Sequence, residues 1–421
     1  MSDVSRRDVL AMLGAAALTP LARTGWRRPA RDAAGPGFRI RTITAGINLR
    51  SPTDMEGPQA ALAALKRAKR TVADAGYEVQ TLRIATQPFL EGASSRGRAD
   101  ALPSLQALDR AVVAESVLLS IGPVLGPDDY DAEFAPWAAE LIRTTRNVSF
   151  SARVASPERG ASPRGVTAAG EAMAAIARAT AMGIGNFRFA AAANVPAGTP
   201  FFPVAYHRGS DTVALGLESP PLLSAAFAGA NTLAEAKKSL TELLESRLGS
   251  LERLVRQVAR REERSYLGID VSPAPGKDAS IGAAIEALTG VPFGDASTLA
   301  GCAAITDILK SLRVKTCGYS GLMLPVLEDP VLARRASEGR YSVRDLLLFS
   351  SVCGTGLDVV PLPGDTPADR LAALIADVAA LSAKLRKPLS ARLFPVPGKS
   401  AGQRAHFDDP YLTDCVVMKA E

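Results

Sequence analysis

Ser116-Val117-Leu118-Leu119-Ser120-Ile121 is a short, largely apolar run with helical periodicity on both sides, over 104–114 before it and 132–143 after it. A run of this length between helices reads as a strand buried on both faces, and strands that alternate with helices belong to a mostly parallel sheet. Working outward, 39–49 is β-rich, 57–75 has the Ala/Leu spacing of a helix, and 77–85 is again a strand. Toward the C-terminus a strand at 147–154, a helix at 166–182 and a strand at 186–193 follow, and further strands are predicted at 212–217, 266–271, 314–323, 357–360 and 389–394. About ten strand positions in one chain predict an α/β fold with a large, roughly ten-stranded β/α barrel, closed or nearly so. The exception is 232–263, where Ala, Leu and Val recur among Lys, Glu and Arg in one long amphipathic helix whose charges form a solvated face. No internal repeat interrupts the pattern.

The N-terminus reads differently. Arg6-Arg7 precedes a weakly apolar stretch from Val9 to Leu18 that is too short to span a membrane, which takes roughly 20 apolar residues. That is the pattern of a twin-arginine export signal, so the expectation is a precursor handed to the twin-arginine translocase and a mature protein that works outside the cytoplasm, in the periplasm or beyond it. Residues 1–37 are read as signal and linker, and 38–421 as one large barrel domain. No later segment looks like a stable membrane span. The net charge of +6 comes from 49 basic and 43 acidic residues without a basic stripe interleaved with aromatics, which argues against a nucleic-acid partner. Four cysteines without a C-x-x-C pair are too few for a disulfide scaffold.

Several segments are unusual for a generic β/α chain: Gly268-Ile269-Asp270-Val271-Ser272-Pro273-Ala274-Pro275, Cys317-Gly318-Tyr319-Ser320-Gly321-Leu322-Met323-Leu324-Pro325, Val352-Cys353-Gly354-Thr355-Gly356-Leu357-Asp358, and Arg392-Leu393-Phe394-Pro395-Val396-Pro397-Gly398-Lys399. With Gly185-Asn186-Phe187-Arg188-Phe189 and Pro200-Phe201-Phe202-Pro203, they closely resemble the domain of unknown function family 711, also called uncharacterised protein family 0210. The likeness runs from about Phe38 to the C-terminus. It implies a fold similar to the ten-stranded barrel of pyruvate formate-lyase and other glycyl radical enzymes, and it implies no reaction. The radical motif of those enzymes is Arg-Val-x-Gly-Tyr near the C-terminus. Thr316-Cys317-Gly318-Tyr319 echoes it only faintly: about a hundred residues follow Gly318, and Arg313-Val314 is out of register. A glycyl radical is therefore not expected.

In a β/α barrel, chemistry gathers at the C-terminal ends of strands and in the loops that follow. Glu218, Asp270 and Asp358 fall there, where converging carboxylates would serve as general acid and base or bind a divalent metal, and where single ones would cap helices. His207, one of two histidines, follows an aromatic and proline-rich loop and is a candidate proton carrier, although a lone imidazole is more often only hydrogen-bonded. Tyr319 completes the acid/base set, and Cys353 is the thiol best exposed by a glycine loop. Gly318, Gly321, Gly354 and Gly356 could offer backbone N–H groups to an anion, or simply allow close packing. Arg392 and Lys399 are candidates to bind a carboxylate or phosphate, against the ordinary role of solvated bases. The glycine loops lack the spacing of a nucleotide-binding motif, so no nucleotide cofactor is expected.

These residues predict a barrel enzyme of lyase or hydrolase type, without a glycyl radical, that acts on a small anionic metabolite by acid/base chemistry. The alternatives are a non-catalytic periplasmic ligand-binding protein, which a hinged two-lobed fold would favour, and a structural or regulatory scaffold.

Overall fold

In a computed structural model that describes residues 37–420, strands form at nine of the ten predicted positions. β1 (Arg39–Ile47), β2 (Val79–Thr86), β3 (Val117–Leu125) and β4 (Val148–Ser156) pair in that order and in parallel. The two-residue β5 (Gly160–Ala161) folds back on β4, and β6 (Phe189–Ala193) extends the row in parallel beside it. Direction reverses at both flanks. β7 (Thr212–Glu218) runs antiparallel to β1 and carries β8 (Ser265–Pro273) parallel to itself, while β10 (Leu389–Val396) runs antiparallel to β6 and carries β9 (Gly356–Pro363) in parallel. The result is a ten-stranded, mostly parallel sheet in a mixed α/β fold. The twin-arginine segment lies outside the described residues.

The closed barrel expected from the strand count is not what the ladder shows, because the hydrogen-bonded path ends at β8 on one side and β9 on the other. The tenth predicted strand, at 314–323, would have lain between them. Only two single bridges mark its course, Thr316 to Ile269 of β8 and Pro325 to Asp358 of β9, both parallel. The physical reason lies in the backbone. Gly318 and Ser320 hold φ of 63° and 43°, outside the extended region, and the N–H groups of Tyr319 and Ser320 donate to the Asp270 carboxylate instead of to a neighbouring strand.

Helices cover the sheet where the spacing predicts them. The long one spans Leu233–Arg261, with Thr232 capping it by accepting from the Glu235 N–H and with Leu240, Leu244, Leu248, Leu251 and Val255 on its buried stripe. The helix expected from 104 begins earlier, at Ser95, because Ser94 caps it and Pro103 is accommodated inside. One large apolar core fills the space between helices and sheet. A second, separate cluster contains Phe201, Val204, Tyr319 and Met323 with Ala190 and Ala192 of β6. It forms because the loop over residues 194–207 tucks against the other face of the sheet. There Thr44 donates its hydroxyl to the Pro200 carbonyl, and Ser120 donates to Ala205. No helix among the described residues is long and apolar enough to cross a membrane.

Candidate functional site

The polar face of β1 and β2 sets the site. Arg41 stands on β1, and Thr81 and Arg83 recur at the two-residue period of β2, so each of these strands turns a guanidinium toward the interior that the loop only partly fills. A cavity of about 390 Å³ remains. Its walls include Arg41, Arg83, Ser149 of β4, Asp358 of β9, and Ser390 and Arg392 of β10, so strands from distant parts of the sheet face one space. Phe201, Phe202, Tyr319 and Tyr411 supply its aromatic lining. Because β1 is antiparallel to β7, the amino ends of β1 to β4 lie level with the carboxyl ends of β7 and β8, where Glu218 and Ala274-Pro275 sit. The cavity is lined mainly from the amino ends of strands, β1 to β4 with β9 and β10, and meets a carboxyl end at the turn after β8.

A buried ion network forms one wall. Glu328 accepts from Arg41 Nη2 at 3.0 Å and from Arg392 Nη2 at 2.8 Å, and Arg392 Nε donates to Asp358 at 2.5 Å. Arg41 also reaches Glu218 at 3.0 Å, and Glu218 accepts from Arg39 and from Gln80. The two carboxylates beside Arg392 hold its guanidinium above its ordinary range despite complete burial.

Arg83 is different. It is 7% exposed, and its Nε donates to Thr81 Oγ1 at 3.3 Å. Its guanidinium lies 4.8 Å from the centroid of the Phe202 ring. Among the described residues it forms no ion pair. Burial, with the like charges of Arg41 and Arg392 nearby, pulls it down to about 9, and it is still a cation at neutral pH.

Tyr319 is fixed from three sides. Its N–H donates to Asp270, its carbonyl accepts from Lys310 at 2.8 Å, and its hydroxyl donates to Ser390 Oγ at 2.8 Å. Burial pushes the phenol above its ordinary range, so it stays protonated. Thr355 Oγ1 is a buried hydroxyl at the cavity with no protein partner.

The remaining sequence candidates are distributed around this space. Asp358, Tyr319 and Arg392 line it together. Glu218 stands behind Arg41, in the ion network. Asp270 is fully buried and accepts from the N–H groups of Ser272, Tyr319 and Ser320 and from the Ser272 hydroxyl, so it builds the turn that carries Tyr319. Burial pushes its carboxyl up, against the pull of these donors.

His207 lies at the far end of β1, against Gly46, with Nε2 on the Gly209 carbonyl at 3.0 Å and Nδ1 on Thr212 Oγ1 at 3.2 Å. Cys353 is buried outside the cavity wall, and its carbonyl accepts from Lys387. Lys399 joins a turn through its backbone, with its carbonyl accepting from Gly364. Gly318 packs on Asp270, Gly321 and Gly354 pack backbone to backbone, and Gly356 packs on Ser390, all of them close approaches that a Cβ would block.

The sequence reading missed Arg41, Arg83 and Glu328. The available signal was a basic residue at the polar positions of two alternating strands, in Arg39-Ile40-Arg41 and in Thr81-Leu82-Arg83. Among the described residues no group of three or more His, Cys, Asp or Glu is placed to hold a metal ion.

Residues 35–408 match the family described as uncharacterised ACR, DUF711. A UPF0210 protein of Pyrobaculum islandicum is 32% identical over 354 residues, covering 79% of this chain and 77% of its own length. A UPF0210 protein of Thermoanaerobacter sp. is 29% identical over 413 residues and 90% of each chain, and one of Syntrophobacter fumaroxidans is 31% identical over 356 residues. With most of its length matched in this way, the chain belongs to the DUF711 family, uncharacterised protein family 0210.

Proposed function

We propose that the cavity binds a small anionic metabolite and that the protein transforms it by acid/base chemistry. The observation that carries this reading is Arg83: a guanidinium buried beside an aromatic ring and without an ion-pair partner is costly unless an anion completes it. The cavity volume suits a compact metabolite. Tyr319 lines the cavity with its hydroxyl hydrogen-bonded to Ser390 Oγ, a pair through which a proton can pass to a bound molecule, and Asp358, Glu328 and Asp409 are the carboxylates of the same wall.

Asp358 and Glu328 both spend carboxylate oxygens on guanidinium groups, which leaves less of them to meet a substrate and favours the second reading, a ligand-binding protein without turnover. The main sheet, one unbroken path of strands among the described residues and not two hinged lobes, favours the enzyme. We also propose that residues 316–325 act as the missing staves of a barrel between β8 and β9, and that the mature chain works outside the cytoplasm after twin-arginine export.

Calorimetric titration with inorganic phosphate and with pyruvate tests the anion site. Wild type should bind at least one of them, and Arg83→Met should weaken that binding at least about tenfold. Unchanged binding in Arg83→Met would overturn the assignment, and so would no binding of either anion to wild type. Once metabolites that co-purify with the chain are identified, Tyr319→Phe separates the two readings: an enzyme keeps binding and loses turnover, whereas a binding protein shows no turnover to lose.

A further inference from the structure

Val204 of the inserted loop lines two cavities, the anion site and a second space of about 280 Å³ on the other side of the loop. Pro123, Ser151, Arg153, Ser156 and Asn194 contribute to the second wall. Ser156 is the last residue of β4, and Asn194 is the first after β6. This cavity therefore lies at the carboxyl ends of the first parallel set. That is the end of the strands at which α/β folds hold ligands.

Two polar groups here lack protein partners. Ser151 is 1% exposed, and its Oγ makes no hydrogen bond to the protein. Asn194 Oδ1 is buried and equally unpartnered. Its orientation is set by its own amide. Nδ2 lies 2.9 Å from Ser382 Oγ, whose hydrogen is claimed by the carbonyls of Lys387 at 2.6 Å and Ala193 at 3.2 Å, so the Asn194 NH₂ must be the donor to Ser382 and Oδ1 must be the free acceptor. The left-handed backbone of Asn194, with φ of 53°, fixes where that acceptor starts from. Arg153 brings a cation to the same wall, its guanidinium 5.5 Å from the Tyr206 ring centroid and its Nε 3.1 Å from Glu91. A buried hydroxyl, a buried acceptor and a guanidinium around one space are a donor and acceptor set awaiting its complement.

We infer that this second cavity is a binding site for a small carboxylate that carries its own hydrogen-bond donor, an α-hydroxy or α-amino acid. Arg153 takes the carboxylate, Asn194 Oδ1 accepts from the hydroxyl or ammonium, and Ser151 Oγ completes the shell. The site is independent of the anion cavity across the loop.

Titration of the whole chain with L-lactate and L-serine, with propionate as the carboxylate that lacks the donor, tests it. At least one of the two donor-bearing acids should bind, and propionate should bind about tenfold more weakly. Ser151→Ala removes a hydroxyl that holds nothing in the fold, and Asn194→Gly keeps the left-handed backbone while deleting the acceptor. Each should weaken that binding about tenfold, and Arg153→Met should do so more severely, while Arg83→Met across the loop leaves it in place. The inference is overturned if neither donor-bearing acid binds wild type, if propionate binds equally well, or if Arg83→Met rather than Ser151→Ala removes the binding.

Discussion

The Arg83 guanidinium lies 4.8 Å from the Phe202 ring centroid, which joins the charged face of β2 to the loop that enters the sheet from between β6 and β7. The ring offers the cation a weakly attractive face while a carboxylate would cancel it, so the positive potential is preserved for a ligand. Without a ligand the arrangement is a liability. Arg83→Met should therefore raise the stability of the ligand-free protein by about 1–3 kcal/mol, since an apolar side chain of similar reach replaces an unpaired buried charge. Urea unfolding of both proteins without added anions measures it; a large loss of stability would mean that Arg83 holds the fold.

Glu328 carries one negative charge between two guanidinium groups. Glu328→Gln should cost about 3 kcal/mol, because Arg41 and Arg392 each lose a charged acceptor and keep only Glu218 and Asp358. The same change leaves the cavity one unit more positive, so anion affinity should rise as stability falls. Titration with phosphate together with a melting curve reads both, and affinity falling in step with stability would contradict the charge argument.

Asp270→Asn probes the turn under Tyr319. The Tyr319 N–H donates to Oδ2, while Ser272 and Ser320 donate to Oδ1. An amide can satisfy one side only, since its NH₂ would face another donor on the other. The expected cost is about 1–3 kcal/mol, more than the exchange of one helix cap for another. Calorimetry measures it, and a change below a few tenths of a kcal/mol would remove the turn-building role.

His207 gives a pH dependence with a definite sign. Burial pulls its imidazole below the ordinary value, and the Gly209 carbonyl, an acceptor only, places the hydrogen of the neutral ring on Nε2. The unfolded chain therefore binds the proton first. The stability that neutral His207 contributes is present above the unfolded value of about 6.5 and is lost as pH falls below it toward the lower folded value. Urea midpoints measured on either side of pH ~6.5 should show a steeper acid loss in wild type than in His207→Gln. Equal slopes would show that His207 is not depressed.

Gly354→Ala should be among the most damaging single changes outside the cavity. An added Cβ would meet the Gly321 backbone at 2.5 Å, and neither segment can yield, since Gly321 donates to Ser272 and Gly354 to Leu322. Gly398→Ala is the control, with a φ of 75° but open space around the new methyl, and should cost only about 1 kcal/mol of backbone strain. Comparable melting temperatures for the two variants would refute the packing argument.

Replacing Arg6 and Arg7 by Lys should keep the precursor inside the cell, because the translocase reads the arginine pair itself. Cell fractionation tests this, and continued export by a host without other routes would refute the proposed address.

The strand at 116–121 and the long helix capped by Thr232 were legible from the sequence because their cause is local: apolar spacing and capping chemistry act within a few residues. For the same reason the resemblance carried by the glycine and proline motifs survived comparison with relatives along most of the chain. The segment at 314–323 shows where local spacing stops deciding. Its apolar pattern suits a strand, yet the Asp270 carboxylate, on another strand, takes the N–H groups that a ladder would need. The site itself was only half legible. Asp358, Tyr319 and Arg392 could be picked out as candidates, but Asp358 stands at the amino end of β9 and not at a carboxyl end, Arg392 stands inside β10 and not on a loop, and whether a carboxylate lines a cavity or is saturated by backbone donors, as Asp270 is, depends on residues distant in the chain. Arg83 makes the point most sharply. Its charge and its face of the strand follow from the sequence, while only the folding of β2 against the loop at Phe202, with Glu328 and Asp358 already claimed by Arg41 and Arg392, leaves that charge without an ion pair.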